Sequence, residues 1–293
     1  MSCLLRLSIA LFVFLSTAFQ ITAQDLAPLP YKNPEWVKPY EPFRIAGNLY
    51  YVGTYDLASY LVTTSEGHIL INTGLAETVP LLQKNVESLG FKFSDIKILL
   101  VTHPHYDHAA GFADIKKMTG AKMMVNAVDA KLLEDGGKSD FIFGGPKGLF
   151  PGVKADRLLK NGDVVKLGDA KLTAYHHPGH TPGATSFLVE TKDETRPWKV
   201  LIVNMPTILD ETRIMGMPKY PKVGEDYKYT LESLPKLQFD LWVSAHASQF
   251  DLHEKRKPGD PYKPELFGDR KAYDAAVADL QKKYDDRVKS EKK

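Results

Sequence analysis

From Phe43 onward the chain alternates short apolar runs with polar, glycine-containing breaks, and the period of each run predicts its element. "NLYYVG", "SYLVTT" and "HILINTG" are rich in β-branched and aromatic residues and separated by Gly, Ser and Glu turns, which predicts a meander of strands. "ETVPLLQKNVESLG" changes to helical spacing and stops at Gly90, after which "IKILLVTH" reads as a buried strand running into histidines. A helix near Gly111 to Met118, a strand "AKMMVN" and a helix "AVDAKLLED" follow. Further strands are predicted in "DVVKLGDAKLTAYHHPGHT", "TSFLVETK" and "WKVLIVNMP", a helix in "EDYKYTLESLPKL", and a strand in "FDLWVSAH" that ends at His246. Residues Asp269 to Lys292 read as a solvated amphipathic helix. Interleaved strands and helices without a break in composition predict one α/β domain over residues 24–293.

The first residues depart from this pattern. One early cation, Arg6, precedes an apolar run to about Phe19 and small residues before Gln24, which predicts a signal peptide at 1–23 and export to the periplasm. The run is shorter than the ~20 residues of a spanning helix, so no membrane anchor is expected. The only cysteine, Cys3, leaves with that peptide, and any metal site must then use His, Asp or Glu. Cleavage also removes Arg6, leaving 37 basic against 36 acidic residues, which excludes an electrostatic footprint for nucleic acid. The Pro-rich stretch "DLAPLPYKNPEWVKPYEP" suits an extended arm laid across the domain.

The densest chemistry is in "THPHYDHAAG". His103 and His105 are two apart, so at a strand end both face one side and can close on one ion; the adjacent Asp107 and His108 diverge. One tetrahedral centre accommodates all four poorly, whereas two neighbouring centres divide them. His180 in "HPGHTPGATSF" and His246 in "WVSAHASQFDL" each fall at the end of a predicted strand and complete a pair of sites. Gly179 and Gly183 allow close turns around His180. His68 and His253 read as structural, and His176 and His177 as groups behind the ligands.

With "THPHYDHAAG" as an HxHxDH motif, "PGHT" and "SAHASQF", nearly the whole mature chain resembles the metallo-β-lactamase superfamily, and within it subclass B3. "YEPFRIAGNLYYVGTYDLASYL" and "SQFDLHEKRKPGDPY" are similar to its GOB-type branch. The resemblance implies an αββα sandwich of two mixed β-sheets flanked by helices. It implies two Zn2+ ions, the first on His103, His105 and His180, the second on Asp107, His108 and His246. Asp107 would also orient the attacking water. It implies a monomer that opens the amide bond of penicillins, cephalosporins and carbapenems and so confers resistance to them. Thr207 matches the position of a B3 serine that contacts the substrate carboxylate, with Met205 beside it.

The chain departs from the pattern twice: GOB-type relatives commonly carry Gln where His103 stands, and a superfamily Asp after the "LINTG" strand is Asn72 here. The rivals are a glyoxalase II-like thioesterase or lactonase, which add a bridging aspartate where this chain has Asn204 and Met205, and a non-catalytic secreted metal-binding protein. The glycine-rich segment Phe141 to Gly152 is expected to act as a hinged flap that brings Phe143 and Phe150 onto the substrate.

Overall fold

A computed structural model describes residues 26–292, so the expected signal peptide lies outside the described residues. Alternation within the apolar runs builds two facing sheets. The first contains β1 (Phe43–Ala46), β2 (Leu49–Tyr51), β3 (Tyr60–Thr64), β4 (Gly67–Ile71), β5 (Ile96–Leu100), β6 (Lys122–Asn126) and β7 (Arg157–Leu159) in sequential order. It is antiparallel through β4 and parallel from β4 to β7. The second contains β8 (Val164–Leu167), β9 (Ala170–His176), β10 (Thr185–Lys192), β11 (Pro197–Val203) and β12 (Leu241–Ser244), antiparallel except for the parallel pair β11 and β12.

Side chains of one strand divide between two cores with period two. Ile69 and Ile71 of β4, with Ile98 and Leu100 of β5, pack with Leu172, Phe187 and Ile202 of the second sheet. Leu70 and Leu99 point the other way, toward α1 (Val79–Ser88) and, beyond the short α2 (Tyr106–Ala109), α3 (Phe112–Thr119). Each such buried side chain contributes about 1.5–3 kcal/mol. Helix α3 ends at Gly120, whose φ of 69° is the left-handed C-cap that glycine favours. After the one-and-a-half-turn α4 (Ala130–Glu134), helix α5 (Val223–Ser233), the short α6 (Leu252–Lys255) and α7 (Arg270–Glu291) cover the second sheet, where Leu231, Tyr273 and Val277 join its core. Layers of helix, sheet, sheet and helix are the expected αββα sandwich.

Several boundaries differ from the sequence reading. β5 stops at Leu100, three residues short of His103, and the three-residue β7 has no counterpart among the expected elements. The N-terminal arm is not wholly extended: Asn33 caps a 3-10 turn at Pro34–Trp36 that buries Trp36. No helix among the described residues is long and apolar enough to cross a membrane.

Candidate metal centre

The turn after β5 is shaped by Asn72 across the parallel pair. Asn72 adopts φ 60°, and its Oδ1 accepts from the backbone N–H of Thr102 at 2.9 Å, the residue before His103. Its Nδ2 lies 3.1 Å from Thr102 Oγ1. Asn72 therefore fixes the exit of the strand; its amide is spent there, on Thr102. His105 then stands at the N-cap of α2, which carries Asp107 and His108.

His180 enters from a loop braced on both sides. A Cβ on Gly183 would fall 2.6 Å from Asp129 Cγ, and Asp129 accepts from the N–H of Gly183 at 2.7 Å and the hydroxyl of Thr181 at 2.5 Å. Gly179, at φ 136°, lies against the ring of Tyr227, where a Cβ would fall 2.9 Å from Cγ. His246 follows β12, where Leu57 bridges to it.

Five imidazoles and one carboxylate converge. Ring centroids of His103, His105 and His180 are 4.5–4.9 Å apart, His103 and His108 4.4 Å, and His108 and His246 4.9 Å. Asp107 Oδ2 lies 3.2 Å from His108 Nε2 and 3.4 Å from His246 Nε2. Donor atoms of His103, His105 and His180, and of His103, Asp107 and His108, fall within 4.8 Å of one another.

In His103, His180 and His246 the nitrogen away from the cluster is engaged, which turns the other one inward. His103 Nδ1 is 2.6 Å from Asn204 Oδ1, His180 Nδ1 is 2.7 Å from the carbonyl of Thr207, and His246 Nδ1 is 2.9 Å from Asp56 Oδ2. His105 Nε2 lies 3.1 Å from Asp140 Oδ2, at ion-pair distance but out of line for a full hydrogen bond. His103 Nε2 and both nitrogens of His108 are buried with no hydrogen-bond partner. Unpaired buried polar atoms cost about 1–3 kcal/mol each, so this donor set suits metal ions, and oriented imidazoles behind a metal are held in the same manner. A nitrogen and oxygen set without sulfur fits zinc.

Electrostatics divide the cluster. Burial, reinforced by the neighbouring imidazoles, holds His103 well below the usual histidine range and pushes His180 down to about 3. Burial acts the same way on His246, but the Asp107 and Asp56 carboxylates outweigh it and push this imidazole up to about 9. Burial would raise Asp107, yet His108 and His246 hold it well below the usual carboxylate range, leaving it anionic.

The cluster floors a cleft of about 520 Å³. Thr207, Met205 and Phe143 line it, together with Tyr31, Trp36, Leu209, Asp210, Glu211, Ser248 and Gln249. Phe150 does not: it is 1% exposed and packs with Leu149, Val153 and Leu133 in the core outside the first sheet. Within the glycine-rich segment a Cβ on Gly144 would fall 2.1 Å from Asp140 O and Gly148 O accepts from the N–H of Ala27, whereas Gly145 has open space beside it. Asp56, Asp140 and Trp36 are neighbours of the cluster that sequence reasoning missed. Trp36 Nε1 donates to Asp56 Oδ2 at 3.2 Å, and its ring lies 6.0 Å from that of His246.

The fold and the six-donor floor define a binuclear metallohydrolase class. A profile of the metallo-beta-lactamase superfamily matches residues 54–193. The structure is similar to the class B3 di-zinc metallo-beta-lactamase LRA-12 from an Alaskan soil metagenome, at 52% identity and TM-score 0.87, over 89% of this chain and 99% of that one. It is also similar to the metallo-beta-lactamase GOB-18 from Elizabethkingia meningoseptica, at 50% identity and TM-score 0.89, over 92% of this chain and all of the other. A hydroxyacylglutathione hydrolase from Rhodospirillum rubrum is 35% identical over 118 residues, 40% of this chain and 36% of that protein. The chain spans about a third of the length of such curated relatives. The chain belongs to the metallo-β-lactamase superfamily, within subclass B3.

Proposed function

We propose that the protein is a zinc-dependent β-lactamase that opens the amide bond of penicillins, cephalosporins and carbapenems. One observation carries the reading: two buried donor sets meet on the floor of one cleft, and of the two residues that stand where thioesterases add a bridging aspartate, Asn204 engages the outer nitrogen of His103 through its Oδ1 and Met205 lines the cleft, so neither supplies a carboxylate. His103, His105 and His180 hold the first zinc and Asp107, His108 and His246 the second. Zinc bound there acidifies water toward neutral pH and polarises a carbonyl.

The chain's own groups do the rest. Asp107, kept anionic by His108 and His246, orients water through its carboxylate. Thr207 Oγ1, which accepts from Gln249 Nε2 at 3.3 Å, keeps its own proton for the substrate carboxylate. Trp36, Phe143 and Met205 cover the apolar body of the substrate and exclude bulk water. Export with cleavage after residue 23 places the enzyme in the periplasm, where these drugs act. A monomer suffices, because all six ligands come from one chain.

The test is steady-state hydrolysis by zinc-loaded mature protein of a penicillin, a cephalosporin, a carbapenem, a glutathione thioester and an acyl homoserine lactone. A higher kcat/KM for the β-lactams is expected; a higher value for the thioester or the lactone would overturn the reading. N-terminal sequencing of periplasmic protein should begin near Gln24.

A further inference from the structure

Between β11 and α5, residues 204–222 form a long connection without helix or strand, and it builds one wall of the cleft through Thr207, Leu209, Asp210 and Glu211. Such a segment has no ladder to satisfy its backbone or hold its shape. Part of the answer lies in the last two turns of α7. Both carboxylate oxygens of Glu291 accept backbone N–H groups, from Ile214 at 2.9 Å and Met215 at 2.8 Å. One turn earlier, Arg287 Nη1 donates to the carbonyl of Asp210 at 3.0 Å, and its other terminal nitrogen lies 3.6 Å from the Asp210 carboxylate. Tyr284 donates to the carbonyl of Gly224 at 3.1 Å, and Tyr284 and Val288 pack on the small core of Ile214, Tyr220, Val223 and Tyr227. Positions 284, 287, 288 and 291 recur at helical spacing, so one face of α7 grips the loop.

We propose that Arg287 and Glu291 are positioning residues that hold the loop 207–217 as the substrate-facing wall of the cleft. The inference rests on reading that cleft as the β-lactam site. The helix has a purpose beyond solvation: charge-assisted hydrogen bonds fix orphan backbone groups of the loop. Neither residue touches a proposed zinc ligand, so loosening the clamp alters substrate capture rather than metal binding.

The experiment compares wild type with Glu291→Ala, Arg287→Ala and Arg287→Lys as zinc-loaded full mature chains. Limited trypsin digestion reads the loop directly, because Arg213 is exposed between the two clamped segments. Losing a charged hydrogen bond should accelerate cleavage after Arg213 about 10-fold or more, because proteolysis follows the open population. KM for a bulky cephalosporin should rise about 3- to 10-fold with kcat within about 2-fold, and zinc content should not change. Arg287→Lys, which retains a donor for Asp210 O, should fall between wild type and Arg287→Ala. Unchanged cleavage in both alanine variants, or faster cleavage with unaltered KM, overturns the proposal. If no β-lactam is turned over at all, the digestion still reads the clamp, and the failure belongs to the substrate assignment.

Discussion

Asn204 faces His103 across the gap between the two sheets, its Oδ1 2.6 Å from Nδ1 of the imidazole. The contact assigns the proton of His103 to Nδ1 and turns Nε2 inward, where it has no protein partner. One of the two residues that stand where thioesterases carry their "GD" dipeptide, Asn204, thus orients the His103 ring.

Replacing Asn204 by Ala should therefore weaken the first zinc by about 10- to 100-fold, the usual cost of removing a group behind a metal ligand. Asn204→Asp, which keeps an acceptor at the same place, should bind zinc at least as tightly as wild type. Calorimetric zinc titration checks both, and an alanine variant with wild-type affinity at both sites would show that Asn204 does not orient His103.

Asp56 has the corresponding place behind His246 of the proposed second site. Its Oδ2 lies 2.9 Å from His246 Nδ1 and accepts from Trp36 Nε1, while Oδ1 accepts from the N–H of Ser248 at 3.1 Å. Asp56→Asn swaps one acceptor for an NH2 group facing donors. The expected result is a loss of about 10- to 100-fold in affinity confined to one of two zincs. Metal analysis after dialysis should find the variant near one zinc per chain and wild type near two.

Phe143 and Phe150 separate binding from folding. Phe143 lines the cleft, its ring 5.3 Å from that of His105, whereas Phe150 is enclosed by the core. Phe150→Ala should cost about 3–5 kcal/mol of stability, and urea denaturation measures it. Phe143→Ala should leave stability within about 1 kcal/mol and raise KM for bulky substrates. Equal stability losses in the two variants would place both rings in the core.

These contrasts show what the sequence could carry. The clustered imidazoles and carboxylate were legible because HxHxDH packs metal-binding residue types into six positions, and because His180 and His246 follow strands recognisable by their apolar runs. The sheets were legible through period-two alternation. Asp56 and Asp140 gave no signal: each is a lone acid in an aperiodic loop, and its partner, His246 or His105, is brought to it only by the fold. Trp36 meets the site only because the arm crosses the domain. Phe150 was misassigned because an aromatic residue in a glycine-rich run has the same local pattern whether it packs inward or faces a ligand.

His177 provides a test by acid. It is 2% exposed, with Nδ1 2.7 Å from Ser186 Oγ, and that oxygen also accepts the N–H of Asn204 at 2.9 Å. With the ring neutral, Nδ1 can accept the serine proton, and burial favours that neutral form. Burial, with a smaller contribution from His176, pushes its pKa down to about 3, against about 6.5 in an unfolded chain. The folded value lies below the unfolded one, so the unfolded state takes up the extra proton. Stability from the neutral ring is complete above pH 6.5 and is lost as pH falls toward 3, by up to about 1.4 kcal/mol per pH unit. In His177→Gln the amide oxygen can accept from Ser186 without titrating. The difference in unfolding free energy between wild type and variant should shrink, or turn in favour of the variant, from pH 7 to pH 4.5, while contributions of all other groups cancel. Urea denaturation of both proteins at half-unit intervals makes the measurement. Parallel curves across that range would mean that His177 binds its proton equally in both states, and that the bond to Ser186 does not require a neutral ring.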